Sequence, residues 1–95
     1  MGHQNLYEVL NGAMDGGTPR GIRPGSYVLV EVGQVPLEAG AVYLVQTPGG
    51  LHLREARWGE GWVFAPWDPG YPAFPLEGVG VVGRVRGVVQ YNPLT

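Results

Sequence analysis

Glycine and proline interrupt this chain so often that little room is left for a long helix. Its 95 residues include 17 Gly and 9 Pro. Inside a helix, each glycine costs about 1 kcal/mol relative to alanine and each proline about 3 kcal/mol. Between the interruptions lie short runs of β-branched and aromatic residues, which fit a pleated, half-buried surface. A chain punctuated in this way is expected to fold as strands joined by tight turns.

The runs can be placed in order. Residues 5–10 (NLYEVL) predict a first strand, with Leu6, Glu8 and Leu10 on one face and Tyr7 and Val9 on the other. Residues 12–25 form a loop in which Gly16-Gly17 permits positive φ and Pro24-Gly25 suits the centre of a type II turn. Residues 26–32 (SYVLVEV) are apolar on both faces at their middle, as expected of a buried central strand. Residues 41–47 and 51–57 flank Pro48-Gly49-Gly50 as a hairpin, and residues 62–65 (WVFA) follow a second turn at Gly59-Glu60-Gly61. Residues 66–75 are too rich in proline to be an element. Residues 77–91 predict the longest strand, with glycines at 78, 80, 83 and 87 that suggest bends or a bulge. The expectation is one all-β domain over residues 1–95. Its sheet should be small, strongly bent or partly closed, mostly antiparallel, and of about six or seven strands.

Composition removes several function classes. No run approaches the ~20 apolar residues needed to span a bilayer as a helix. No N-terminal stretch has the charged start and apolar middle of a secretion signal, so no membrane partner and a cytoplasmic location are expected. There is no Cys, hence no disulfide or thiol chemistry. The formal net charge of −2 gives no broad electrostatic reason to bind nucleic acid. His3 and His52 with scattered carboxylates make no metal-ligand spacing, and neither metal nor cofactor is expected. All six cationic residues are Arg, and Ser26 is the single serine. A Ser/Lys mechanism within this chain is therefore impossible.

The order of the segments resembles the LexA-type peptidases, the self-cleaving serine peptidase domains of bacterial and phage repressors. LYEVLNGAM resembles the strand leading to the family's nucleophile. GIRPGSYVLVEV resembles its apolar-Gly-acid-strand segment, with Ser26 where an Asp is common. LEAGAVYLVQTPGGLHLREARW resembles the hairpin carrying the catalytic Lys, and APWDPGYPAFPLE its Asn-Pro-x-Tyr-Pro-Pro loop. VVGRVRGVVQY resembles the closing strand through which such domains often pair. The resemblance covers roughly residues 6–91 and implies a fold like that of the LexA C-terminal domain.

It also implies that the chemistry has been lost. The family's nucleophilic Ser precedes a Met; here Ala13 precedes Met14. The family's Lys follows an apolar-x-apolar pattern; here Leu51-His52-Leu53 leads to Arg54. Alanine has no hydroxyl to attack a carbonyl. A guanidinium stays protonated, with a pKa above about 12, whereas a lysine can be neutralised by desolvation. A shifted register would bring Thr18 to the nucleophile's place, with His52 as the one available base. The plainer reading is a polar loop residue and a surface histidine. Ser26 is likewise best read as leading into its strand. The expected chain is not an enzyme, and Ala13, Met14, Thr18, His52 and Arg54 outline a vestigial cleft. The alternative is a self-cleaving serine peptidase whose dyad positions are substituted in this chain.

Two further surfaces stand out. The arginines fall into pairs, Arg20/Arg23, Arg54/Arg57 and Arg84/Arg86, which could gather into a phosphate-binding patch; ordinary surface ion pairing is the simpler expectation. The second alternative function, a small nucleic-acid-binding β domain, rests on that patch. Alternation in the last strand puts Val82, Arg84, Arg86 and Val88 on one apolar-basic face. On an edge strand that face would suit pairing with a second copy or a regulatory partner. Trp58, Trp62, Trp67, Tyr71 and Phe74 are expected mostly to close one end of the core. The function expected is protein interaction or dimerisation, and by fold analogy the setting expected is transcriptional or stress-response regulation, with phage among the sources the resemblance implies.

Overall fold

A computed structural model describes residues 3–16 and 21–89. Seven strands form one antiparallel sheet: β1 (His3–Glu8), β2 (Tyr27–Val32), β3 (Val42–Thr47), β4 (Gly50–Trp58), β5 (Trp62–Ala65), β6 (Phe74–Pro75) and β7 (Gly80–Val89). A single 3-10 turn, Leu76–Gly78, precedes β7. The spatial order is β1-β2-β7-β3-β4-β5-β6, and the sheet does not close. The all-β class expected from the glycine and proline punctuation is the one observed.

Local chemistry explains most of the boundaries. Pro24 and Gly25 lie at the centre of a turn closed by the Ser26 N–H donating to the Arg23 carbonyl at 3.2 Å. Gly25 has φ +88°, the left-handed value that the third position of a type II turn demands. The Ser26 hydroxyl donates back to the same Arg23 carbonyl, so this serine secures the turn into β2. β3 and β4 meet residue for residue from Val42↔Glu55 to Thr47↔Gly50, with the hairpin at Pro48-Gly49.

Both faces of the sheet carry a core. Val9, Met14, Ile22, Val28, Val30 and Leu44 are buried on one face, with Tyr7, Leu53, Trp67, Val82 and Val85 packed against them. Tyr43, Val45, Ala56 and Phe64 are buried on the other, with Trp62, Phe74, Val79 and Val81 around them. Tyr43 meets Phe64 edge-on at 6.0 Å, a favoured aromatic geometry. Its hydroxyl accepts the Glu38 N–H and donates to the Pro36 carbonyl, both at 2.9 Å. The five rings expected at one end of the core are instead divided. Trp67 packs on the first face, Trp62 and Phe74 on the second, and Trp58 stays largely exposed against Trp62.

The last strand departs most from expectation. β7 is not at an edge: it pairs with β2 on one side and β3 on the other. Its pairing with β3 skips Val82, and its pairing with β2 skips Arg86. Each skipped residue is a β-bulge, which adds one residue and reverses the side-chain alternation beyond it. Gly83, beside the first bulge, approaches β2 so closely that a Cβ there would lie 2.2 Å from the Glu31 carbonyl oxygen.

Candidate functional site

The alternation of the first face leads to a cleft. It has a volume of about 280 Å³ and a floor of Met14, Val28 and Leu44. Tyr7, Glu8, Val9, Leu10 and Asn11 form one wall, and Leu51, His52 and Leu53 form the other. Three strands separate β1 from β4 in the sheet order. Both can line one cleft only because the sheet curls toward this face.

Each wall is a strand edge. The Val9 N–H donates to the Ser26 carbonyl, and the Val9 carbonyl accepts the Gly25 N–H, both at 2.9 Å. Odd-numbered residues here therefore bond inward, and Glu8 and Leu10 turn their main-chain groups away from β2. On the other wall, Ala56 exchanges main-chain bonds with Gly40 and Ala41 on the β3 side. Leu51 and Leu53 accordingly face away from β3, with the Leu53 carbonyl taken by Arg54 Nη1 and the groups of Leu51 left open among the described residues. β5 is too short to cover them, pairing only with residues 55–58 of β4. This bare edge is not among the expectations from sequence; the shortness of the run WVFA beside the longer run before it is the signal that could have found it. Two free edges over an apolar floor can take a segment of extended chain by strand addition.

Ala13 and Arg54 contact opposite ends of one loop, residues 66–73. Ala13 is buried, and its carbonyl accepts the N–H groups of Trp67 and Asp68, both at 2.9 Å. Asn11 Oδ1 accepts the Ala13 N–H, and the Tyr71 hydroxyl accepts that of Gly12. Arg54 is only 1% exposed. Its Nε donates to the Pro72 carbonyl at 2.9 Å, its Nη1 to the Leu53 carbonyl at 2.7 Å, and Cζ lies 5.0 Å from the Phe74 ring centre. No described carboxylate forms an ion pair with it. Burial lowers the Arg54 pKa and nearby Tyr71 opposes that shift; the intrinsic basicity of a guanidinium keeps the group cationic. Arg54 therefore clamps the proline loop with carbonyls and an aromatic face.

Of the residues expected to outline the cleft, Met14 forms the floor of this pocket and His52 part of its wall; Thr18, like Arg20, lies outside the described residues. The His52 ring packs tilted against Phe74, with ring centres 4.9 Å apart, and its Nε2 is 2.9 Å from Thr47 Oγ1. Burial first, and then the Arg54 charge, lowers the His52 pKa. Ala13 and Arg54 are buried beside the cleft rather than on its lining.

The face expected from Val82, Arg84, Arg86 and Val88 is not present. The bulges place Val82 on the first core and Val88 opposite buried Val28, while Arg84 lies opposite Tyr43 on the other face. Arg84 pairs with Glu38 at 2.7 Å and Arg86 with Glu31 at 2.6 Å. Arg57 pairs with Glu55 at 2.9 Å. With Arg54 buried as well, each of these four arginines is engaged within the fold. Among the described residues, no cluster of His and carboxylates could hold a metal ion. No described helix is long and apolar enough to cross a membrane. No protein-family model matches the chain, and no curated protein matches it at a significant level.

Proposed function

We propose that this chain is a catalytically inactive relative of the LexA and phage-repressor peptidase domains, acting as a protein-interaction module. It holds an extended peptide segment in the cleft between β1 and β4, and belongs to a transcriptional or stress-response setting. The observation that carries this reading is the pair of free strand edges facing each other over an apolar floor. Main-chain groups at Glu8, Leu10 and Leu51 supply bonds to any extended chain, and the floor selects apolar side chains. Ala13 and Arg54 remove the nucleophile and the base that would cut such a chain.

Amide shifts in an NMR titration test the binding. The probe is a blocked peptide of alternating Val and Ala. Shifts confined to β1 and to Leu51 and Leu53 are expected. No shifts at millimolar peptide, or shifts elsewhere alone, overturn the reading. The double variant Ala13→Ser, Arg54→Lys tests the peptidase alternative. Peptide-bond cleavage at alkaline pH, where lysine is more often neutral, would revive it.

A further inference from the structure

β1 ends the sheet, and no described strand pairs with its outer side. The alternation fixed at Val9 turns the main-chain groups of Gln4, Leu6 and Glu8 outward. Leu6 is 58% exposed at the centre of this edge. Natural sheets blunt such edges with proline, lysine, a bulge or an inward-pointing charge. β1 contains neither proline nor lysine, and its register with β2 is regular from His3↔Val32 to Glu8↔Tyr27. β7, by contrast, is paired on both sides and offers no edge.

We infer that β1 is a self-pairing edge. A second copy of this chain adds its own β1 antiparallel to the first, about a two-fold axis through Leu6. The side-chain sequence selects that axis. Centred on Leu6, the pairing sets Leu6 against Leu6 and Gln4 against Glu8 in both directions. Each Gln4 amide can then donate to a Glu8 carboxylate, and all three outward-facing residues form ladder bonds. An axis at Glu8 would oppose two carboxylates, which is unfavourable across a strand pair. An axis at Tyr7 would set Leu6 against Glu8, one at Asn5 would set Leu6 against Gln4, and one at Gln4 would leave only a short overlap. Residues that complement themselves in this way satisfy the condition for an isologous dimer. The inference does not rest on the peptide-binding reading. Both readings use the outward main-chain groups of Glu8 and would compete there; Leu6→Arg tests the dimer alone and Leu51→Glu tests peptide capture alone.

Sedimentation equilibrium of the whole chain from micromolar to millimolar concentration tests it. A reversible dimer is expected. Leu6→Arg places two cations at the axis and should raise the dissociation constant about tenfold or more, with an unchanged far-UV spectrum. Gln4→Arg should tighten the dimer by pairing with Glu8, and adding Glu8→Gln should cancel that gain. The chain has no cysteine, so crosslinking gives a clean second readout. Opposed Cα atoms about 5.5 Å apart lie within disulfide range. Leu6→Cys should crosslink under mild oxidation and Leu10→Cys should not. A strict monomer, a dimer indifferent to Leu6→Arg, or one abolished by Val88→Asp instead would overturn the proposal.

Discussion

Arg54 and Phe74 are stacked cation over ring, with the guanidinium carbon 5.0 Å from the ring centre. The same guanidinium donates to the carbonyls of Pro72 and Leu53. A charged donor to a buried carbonyl contributes roughly 1.5–3 kcal/mol, and its removal leaves the acceptor unsatisfied. Arg54→Ala should therefore destabilise the fold by about 3 kcal/mol or more in urea unfolding. Arg54→Lys keeps the charge but loses the planar fork, and should cost about 1–2 kcal/mol. An Arg54→Ala variant as stable as the parent would show that the loop is held by other contacts.

His52 makes the stability of this fold depend on pH. Its folded-state pKa lies below the ordinary value of 6.5 because burial, and then Arg54, disfavour the imidazolium. Protonation consequently favours the unfolded chain. The contribution of neutral His52 is present in full above the unfolded pKa of 6.5 and is lost as pH falls through the folded value. Urea unfolding at about pH 7.5 and about pH 5 should show the decline. His52→Gln should flatten it, leaving the slope due to carboxylates. An NMR titration should place the His52 midpoint below that of free imidazole.

Gly83 is fixed by the approach of β2. A Cβ at this position would meet the Glu31 carbonyl oxygen at 2.2 Å and Val30 Cγ1 at 2.8 Å. Backbone must move to admit it, so Gly83→Ala should cost about 2–4 kcal/mol. Gly87, in the same strand, has nothing within 4 Å of a built Cβ. Gly87→Ala should change stability by no more than about 0.5 kcal/mol. Equal effects at the two positions would contradict the close packing of β7 on β2.

The contrast between these glycines marks how much the sequence could disclose. Residues 62–65 were legible as a strand because turn pairs bound them, and the Pro48-Gly49-Gly50 hairpin for the same reason. The glycines of the last strand suggested bends or a bulge there, but the positions of the two bulges, Val82 and Arg86, were not legible. A bulge inserts a residue without a residue type of its own, and every parity beyond it changes. The central place of β7 was equally hidden, since its pairing joins segments far apart in the chain. Within the cleft, Met14 and His52 could be named only on the resemblance. The burial of Arg54 could not, because arginine is rarely enclosed without a carboxylate.

Leu51 offers a way to disable the cleft without damaging the fold. It lies on the cleft wall yet is 49% exposed, and its main-chain edge faces away from β3. Replacing it with glutamate removes apolar surface from the cleft mouth and adds a charge that an apolar peptide cannot pair. The charge remains partly in water, so the cost to folding should be within about 0.5 kcal/mol. Peptide affinity should fall about tenfold, since losing an apolar contact and desolvating a carboxylate together approach 1.4 kcal/mol. Isothermal titration of the parent and of Leu51→Glu with the Val-Ala peptide reads this directly. Unchanged affinity in a folded variant would place the peptide elsewhere on the sheet. The β1 edge would then be the surface to examine, since its outward groups at Gln4 and Leu6 lie beyond the cleft.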